Sequence, residues 1–144
     1  MADLSPTTRK DIPKIEEWIA VDPFHKDEDQ HSAEWLLTGN GILSFCVADD
    51  QGPLCYVRLD AEGDMLRLAT QFGPESQVSK KRLVTGLLSA GIPAIIEFGK
   101  NKGYKGIVFE SISESLIAFM ERQGFFKAAG KNDYSLTFEE AAHV

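Results

Sequence analysis

The chain has 144 residues, of which 43% are hydrophobic and 26% are charged, and its formal net charge is −7. This length and composition predict one globular domain over residues 1–144, large enough to bury a single core. The acidic balance argues against a nucleic-acid-binding protein, because such domains are usually basic.

Other classes of protein are disfavoured by the sequence pattern. No uninterrupted apolar run approaches the roughly 20 residues that span a bilayer, and the first residues lack a charged-then-apolar signal pattern. We therefore expect a cytoplasmic protein without membrane contact. The two cysteines, Cys46 and Cys55, form no C-x-x-C motif, so the sequence predicts no metal site and favours reduced, buried thiols.

The first half of the chain predicts a short strand, two helices and an antiparallel meander. The strand is expected at residues 4–8. Asp11 and Pro13 favour a helix start, and Asp22-Pro23 favours its end. After a polar loop containing His25, a short helix is expected at 31–37, ending at the glycines of 39–41. Alternating apolar residues between turns rich in Gly and Asp then predict strands at 42–48, 54–60 and 65–72.

The second half centres on residues 79–125, which read helix, strand, helix. Apolar residues recur at helical spacing from Val84 to Phe98, and Gly103 is the expected helix stop. Pro93 inside this pattern leaves two alternatives, a kinked single helix or two consecutive helices; the continuous apolar phase favours the first. A buried strand is expected at 105–110.

A last helix and a last strand are predicted after residue 110. Ser111 and Glu114 match a capping box for a helix that ends at Gly124. A last strand is predicted at 133–138, followed by a frayed tail at 139–144. The fold class is therefore α/β (α+β): a mixed central sheet in which an N-terminal antiparallel meander joins a β-α-β-α-β half, with helices on both faces.

This order of elements resembles the GNAT N-acetyltransferase superfamily over nearly the whole chain. Three segments add to the resemblance: Thr8 to Ile12 before the first helix, Lys102-Gly103-Tyr104-Lys105 after the central helix, and the Gly124-Phe125 end of the last helix. The resemblance implies direct transfer of an acetyl group from acetyl-CoA to an amine, carried by a small molecule or a protein.

The resemblance also implies where the cofactor lies. It would occupy a cleft where the strands at 65–72 and 106–110 splay apart, with the backbone near Phe72 holding the pantetheine arm. The pyrophosphate would lie at the N-terminus of the central helix, as anions do generally. Ser113 matches the position of an asparagine that binds the cofactor in the family.

Besides Pro93, two features depart from the family pattern. The phosphate loop of the family carries glycines, but after Gln77 this chain has Lys80 and Arg82 in their places. A second alignment, counted back from Gly103, retains Gly86. The tyrosine that serves the family as general acid is replaced by Met120, which cannot donate a proton.

Several charged residues are candidates for the site. Lys80, Lys81 and Arg82 would clamp the phosphates of CoA, or else form a solvated basic face. Glu75 or Glu110 would serve as general base, although an exposed acid is more often a solvated surface charge. His25 would contact the acceptor, or be an ordinary surface histidine.

Two alternatives to the enzyme remain at this point. One is a GNAT-like module for binding or protein interaction that has lost catalysis, favoured by Met120 and the missing glycines. The other is an unrelated α+β domain, which a sheet without a splay between the two parallel strands would indicate. The oligomeric state is open, a homodimer included.

Overall fold

A computed structural model describes residues 2–28, 31–37 and 42–138, which form a seven-stranded mixed sheet with helices on both faces. The strands are β1 (Asp3–Pro6), β2 (Leu43–Asp49), β3 (Gly52–Glu62), β4 (Met65–Phe72), β5 (Gly106–Glu110), β6 (Phe126–Lys127) and β7 (Asp133–Thr137). The helices are α1 (Ile12–Ala20), α2 (Ala33–Leu37), α3 (Lys80–Asn101) and α4 (Glu114–Arg122). The predicted helix end at 39–41 and the predicted tail at 139–144 lie outside the described residues.

The strand order is β1-β2-β3-β4-β5-β7-β6, and the predicted mixed sheet is confirmed. Strands β1 to β4 form an antiparallel meander, β4 and β5 pair in parallel, and β7 pairs antiparallel with β5 and β6. The two-residue strand β6 was not predicted, because two residues carry no alternation that a sequence could reveal.

Side-chain alternation assigns the two faces of the sheet to different helices. Val47 and Leu66 contact the glycines of α3, so they lie on the α3 face. On the opposite face Tyr56 donates a hydrogen bond from its hydroxyl to Asp11 at 3.1 Å, and its ring packs 5.4 Å from that of Trp18 in α1. The core therefore has two halves, one on each side of the sheet.

Helix α3 is continuous across Pro93, so the single-helix alternative is confirmed. Leu87–Gly91 forms a π-helical segment in which the Ile92 N–H bonds the Leu87 carbonyl, five residues earlier. Proline lacks an N–H and its ring crowds the carbonyl of the preceding turn, and a widened turn relieves both conflicts. The π segment thus lets the apolar face of α3 continue.

Helix α3 has 22 residues, and its mean hydropathy of 1.3 over an 18-residue window is high enough for a membrane span by length and composition alone. Of that window, 28% is buried inside the protein. The surroundings of its glycines show that α3 packs on the sheet. A Cβ built at Gly86 would lie 2.5 Å from Leu54 of β3, and one at Gly99 would lie 3.2 Å from Leu66 of β4. Helix α3 therefore covers the sheet at close range.

Candidate functional site

Strands β4 and β5 separate at their C-terminal ends. Their parallel pairing extends from Met65 and Gly106 to Leu68 and Phe109 and stops there. Residues 69–72 of β4 continue beside β3 alone, whereas Glu110 of β5 pairs with β7. One edge of 69–72 therefore presents backbone N–H and C=O groups without a partner strand, next to a cleft. The unrelated α+β domain would be indicated by a sheet without this splay, so its presence disfavours that alternative.

The cleft has two chemically different sides. Because side chains alternate along a strand, Leu68 and Phe109 share the α3 face with Leu66. Gln71 and Glu110 lie on the opposite face, which α1 and α2 cover. A group bound in the cleft would be reached from the α3 side and from the α1–α2 side by different residues.

The N-terminus of α3 is the candidate site for an anion. Ser79 is the N-cap, and its Oγ accepts the N–H of Arg82 at 3.2 Å. Lys80 and Lys81 are exposed, and neither forms an ion pair with any residue that the structure describes. Two cations at the positive end of the helix dipole are unfavourable unless an anion is present. Their placement favours the predicted phosphate role for these two lysines.

The third cation of the cluster is already paired. Arg82 donates to both carboxylate oxygens of Asp49, at 2.8 and 2.7 Å, and also to the Gln77 carbonyl. These hydrogen bonds lower the pKa of Asp49 to about 2. Asp49 ends β2, 33 residues before Arg82, so no local pattern could reveal the pair. Arg82 fastens α3 to the sheet and is a weaker phosphate candidate than the two lysines.

Two other predicted cofactor residues have structural partners. Gln77 accepts a hydrogen bond from Trp18 Nε1 at 3.0 Å and donates one to Glu17 at 3.0 Å, which ties the loop before α3 to α1. Gly86 is buried inside α3 against Leu54, away from the helix N-terminus. These placements favour packing roles for Gln77 and Gly86.

The connection from β4 to α3 is a compact turn without the glycine loop of the family. The N–H groups of Gln77 and Val78 both bond the Pro74 carbonyl, at 2.9 and 2.8 Å. Gly73 is required here for space, because a Cβ would lie 2.3 Å from Val78 Cγ2. Glu75 is exposed within this turn, at the end of β4. Glu110 is exposed at the end of β5, so both predicted bases lie at the splayed edge.

The remaining predictions concern the end of β4 and the start of α4. The Phe72 carbonyl accepts a hydrogen bond from Gln71 Nε2 at 3.1 Å, so this group is partly engaged. The N-cap of α4 is Ser113, which accepts the Leu116 N–H at 3.4 Å. The predicted capping box on Ser111 was wrong by two residues, since the Ser111 hydroxyl accepts the Ser113 N–H instead.

The side chain at the family's proton-donor position and the two thiols of the chain are buried. Met120 is buried, with 6% of its surface exposed. Cys46 and Cys55 are free, buried thiols, as predicted, and burial raises the pKa of Cys46 to about 12. A thiol with such a pKa is not the reactive thiolate that nucleophilic catalysis requires.

A chain of polar side chains on the α1–α2 face was missed by the sequence analysis. His31 is buried, and its Nε2 lies 2.9 Å from Gln71 Oε1, while Gln71 Nε2 donates to Asp22 at 2.9 Å. The His25 ring stacks on the His31 ring at 3.8 Å, and Glu28 lies 3.2 Å from His25 Nδ1. Burial first, and then the nearby His25, lower the pKa of His31. The predicted acceptor residue His25 is thus part of a cluster.

Neither a family model nor a curated protein sequence matches the chain. Solved structures, in contrast, match the chain. The chain is similar to a GNAT acetyltransferase from Staphylococcus aureus Mu50, with 16% identity, a TM-score of 0.71, and coverage of 96% of this chain and 99% of that one. It is similar to the ribosomal-protein-S18-alanine N-acetyltransferase from Escherichia coli, with 16% identity, a TM-score of 0.66, and coverage of 96% and 94%. The PaiA N-acetyltransferase from Thermoplasma acidophilum, solved with coenzyme A, gives 16% identity, a TM-score of 0.65, and coverage of 95% and 99%. The chain therefore has the fold of the GNAT N-acetyltransferases.

Proposed function

We propose that the protein transfers an acetyl group from acetyl-CoA to an amine. The observation that carries this proposal is the separation of β4 from β5 after Leu68 and Phe109, which leaves residues 69–72 with a free backbone edge. The similar structures are N-acetyltransferases, and one of them was solved with coenzyme A. Both facts support the proposed acetyl transfer.

The residues around the cleft fit coenzyme A. The free edge of 69–72 offers backbone donors and acceptors for the amide groups of the pantetheine arm. Lys80, Lys81 and the first-turn N–H groups of α3 offer positive charge for the pyrophosphate. Acetyl-CoA, when bound, would supply the acetyl group as an activated thioester. Arg82 would remain on Asp49.

The acceptor amine would approach from the α1–α2 face, where Glu110 and the loop with His25 lie. Glu110 or Glu75 would take the proton that the attacking amine loses, while CoA would leave as a thiolate that takes a proton from solvent. The cleft would contribute mainly by holding amine and thioester together. Buried cysteines favour direct transfer without an acyl-enzyme. We further propose a cytoplasmic protein that acts on a small-molecule or protein amine without binding nucleic acid or membrane.

Calorimetric titration of acetyl-CoA tests the cofactor site. We expect Lys80→Ala/Lys81→Ala to weaken binding about tenfold or more, since each lost phosphate contact is a charge-assisted one. The matched control is Lys100→Ala/Lys102→Ala, which removes two cations from the other end of the same helix and should leave affinity unchanged. Equal affinity in the wild type and the first variant would contradict the phosphate role of Lys80 and Lys81.

Release of free CoA thiol, measured with polyamines, amino sugars and peptide N-termini as acceptors, tests the reaction. In the variant lacking the base, Glu110→Gln or Glu75→Gln, kcat should fall about a hundredfold while acetyl-CoA affinity is retained. Glu97→Gln, an exposed acid on α3, is the control. Tight cofactor binding without turnover on any amine would favour the module that has lost catalysis, as Met120 suggests.

A further inference from the structure

The loop between α1 and α2 gathers three metal-ligating side chains. One ligand atom from each of His25, Glu28 and His31 lies within 4.8 Å of the others. We propose that these three residues bind a divalent transition-metal ion of the zinc class. The absence of a C-x-x-C motif predicted no metal site. This cluster requires no cysteine, however, because imidazole and carboxylate groups are themselves zinc ligands.

Hydrogen bonds beyond the cluster prepare His31 as a ligand. The Asp22 carboxylate only accepts hydrogen bonds, so the Gln71 atom 2.9 Å from it is the amide nitrogen. The Gln71 oxygen then faces His31 Nε2, which must donate its hydrogen across 2.9 Å. A neutral His31 in this tautomer keeps a lone pair on Nδ1. Metal-binding histidines are held in this way, by a second partner on the other ring nitrogen.

The other two ligands are free to adjust. In a tetrahedral zinc site the ligand atoms lie roughly 3.3 Å apart, so the cluster must contract. His31 is anchored by Gln71, whereas the side chains of His25 and Glu28 are 29% and 54% exposed. Rotation of the His25 ring out of its 3.8 Å stack on His31 would bring its lone pair toward the ion.

Three protein ligands leave one tetrahedral position open to water or another ligand, as in zinc sites that are not purely structural.

The proposed metal site also connects to the edge of the cleft. Gln71 belongs to the splayed part of β4, and it holds both His31 and the Phe72 carbonyl. A bound ion would therefore fasten the α1–α2 loop to β4. The proposal does not depend on the binding of acetyl-CoA.

The test is a titration of Zn²⁺ into metal-free protein without a histidine tag, followed by Co²⁺ substitution. We expect one ion per chain with micromolar or tighter affinity. His25→Ala and Glu28→Gln should each weaken binding about tenfold or more. Both residues are accessible to solvent, so neither variant should unfold the protein, which circular dichroism verifies. His143→Ala removes the third histidine of the chain and Asp27→Asn removes a neighbouring acid; both should bind like the wild type.

Three results would overturn the proposal. One is binding weaker than micromolar or a stoichiometry other than one ion. Another is unchanged affinity in His25→Ala and Glu28→Gln. The last is a thiolate-to-metal charge-transfer absorption in the Co²⁺ form, which would assign the ion to Cys46 or Cys55. Acetyl-CoA titration of the same variants separates this proposal from the cofactor site.

Discussion

Asp49 illustrates at the scale of one residue how a distant partner determines what a side chain does. Its two oxygens accept hydrogen bonds from Arg82, which removes one of three clustered cations from contact with ligands. Lys80 and Lys81 are left as the exposed cations of that turn. A sequence shows the cluster of three, but only the fold shows which member is paired.

The Asp49–Arg82 pair predicts a specific acid sensitivity. The pKa of the Asp49 carboxyl, about 2, lies below the value of about 3.9 for an aspartate in an unfolded chain. A pKa lowered by folding stabilises the native state above the unfolded value, and this contribution disappears as the pH falls from about 4 to about 2. Urea unfolding at several pH values should show a shallower acid decline in Asp49→Asn than in the wild type.

Part of the decline should persist in Asp49→Asn, because Arg67 similarly lowers the pKa of Asp133. Asp50→Asn, a change at the exposed neighbour of Asp49, is the control and should keep the full wild-type slope. Identical slopes in Asp49→Asn and the wild type would show that the ion pair does not stabilise the native state.

At the scale of elements, α3 approaches the sheet through glycines, and they differ in the space around them. A Cβ at Gly99 would lie 2.4 Å from Phe138 Cζ, inside the core. A Cβ at Gly91 would lie 3.3 Å from a methyl group of Leu87, which is close but tolerable. At Gly99 the Phe138 ring occupies the space that a Cβ would need, whereas Gly91 has room for a methyl group.

These distances predict opposite outcomes for the same substitution. Gly99→Ala should lower the free energy of unfolding by about 1–2 kcal/mol, since overpacking costs about 1–3 kcal/mol and helix propensity returns up to about 1 kcal/mol. Gly91→Ala should be close to neutral, because its mild crowding is offset by the same propensity gain. Chemical denaturation of both variants decides this. Equal losses at the two sites would show that space is not what distinguishes them.

At the scale of the whole molecule, local periodicity predicted the elements and missed the contacts between them. The bounds of β4 were predicted to the residue, and α3 was correctly expected to continue through Pro93. The pairs that shape the site join residues far apart in sequence: Arg82 with Asp49 over 33 positions, His31 with Gln71 over 40, and Trp18 with Gln77 over 59. No pattern within one helix or strand records such pairs, so the structural partners of Gln77, Arg82 and His31 could not be predicted from the sequence.

Hydrogen exchange can locate the cleft in the intact protein. In the free protein, the cleft-facing amides of residues 69–72 lack a strand partner. They should therefore exchange faster than the amides of residues 65–68, a stretch with a partner strand on each side. Added acetyl-CoA should slow exchange at 69–72 and at the first turn of α3, because those amides gain acceptors. The α1–α2 segment serves as the internal control and should be unchanged.

A different protection pattern would relocate the site. Another concave surface beside α3 is a mainly apolar groove with Leu88, Ile92 and Ile96 in its lining, which also includes Lys100 and Gln123, the residue after α4. It has no cluster of cations at a helix N-terminus and no free strand edge, so it lacks the groups that a pyrophosphate and a pantetheine arm require. Protection confined to this groove would mean that the splay of β4 and β5 is not where acetyl-CoA binds. Protection at both 69–72 and the start of α3 requires one ligand that spans the distance between them, as an extended cofactor does and a small anion does not.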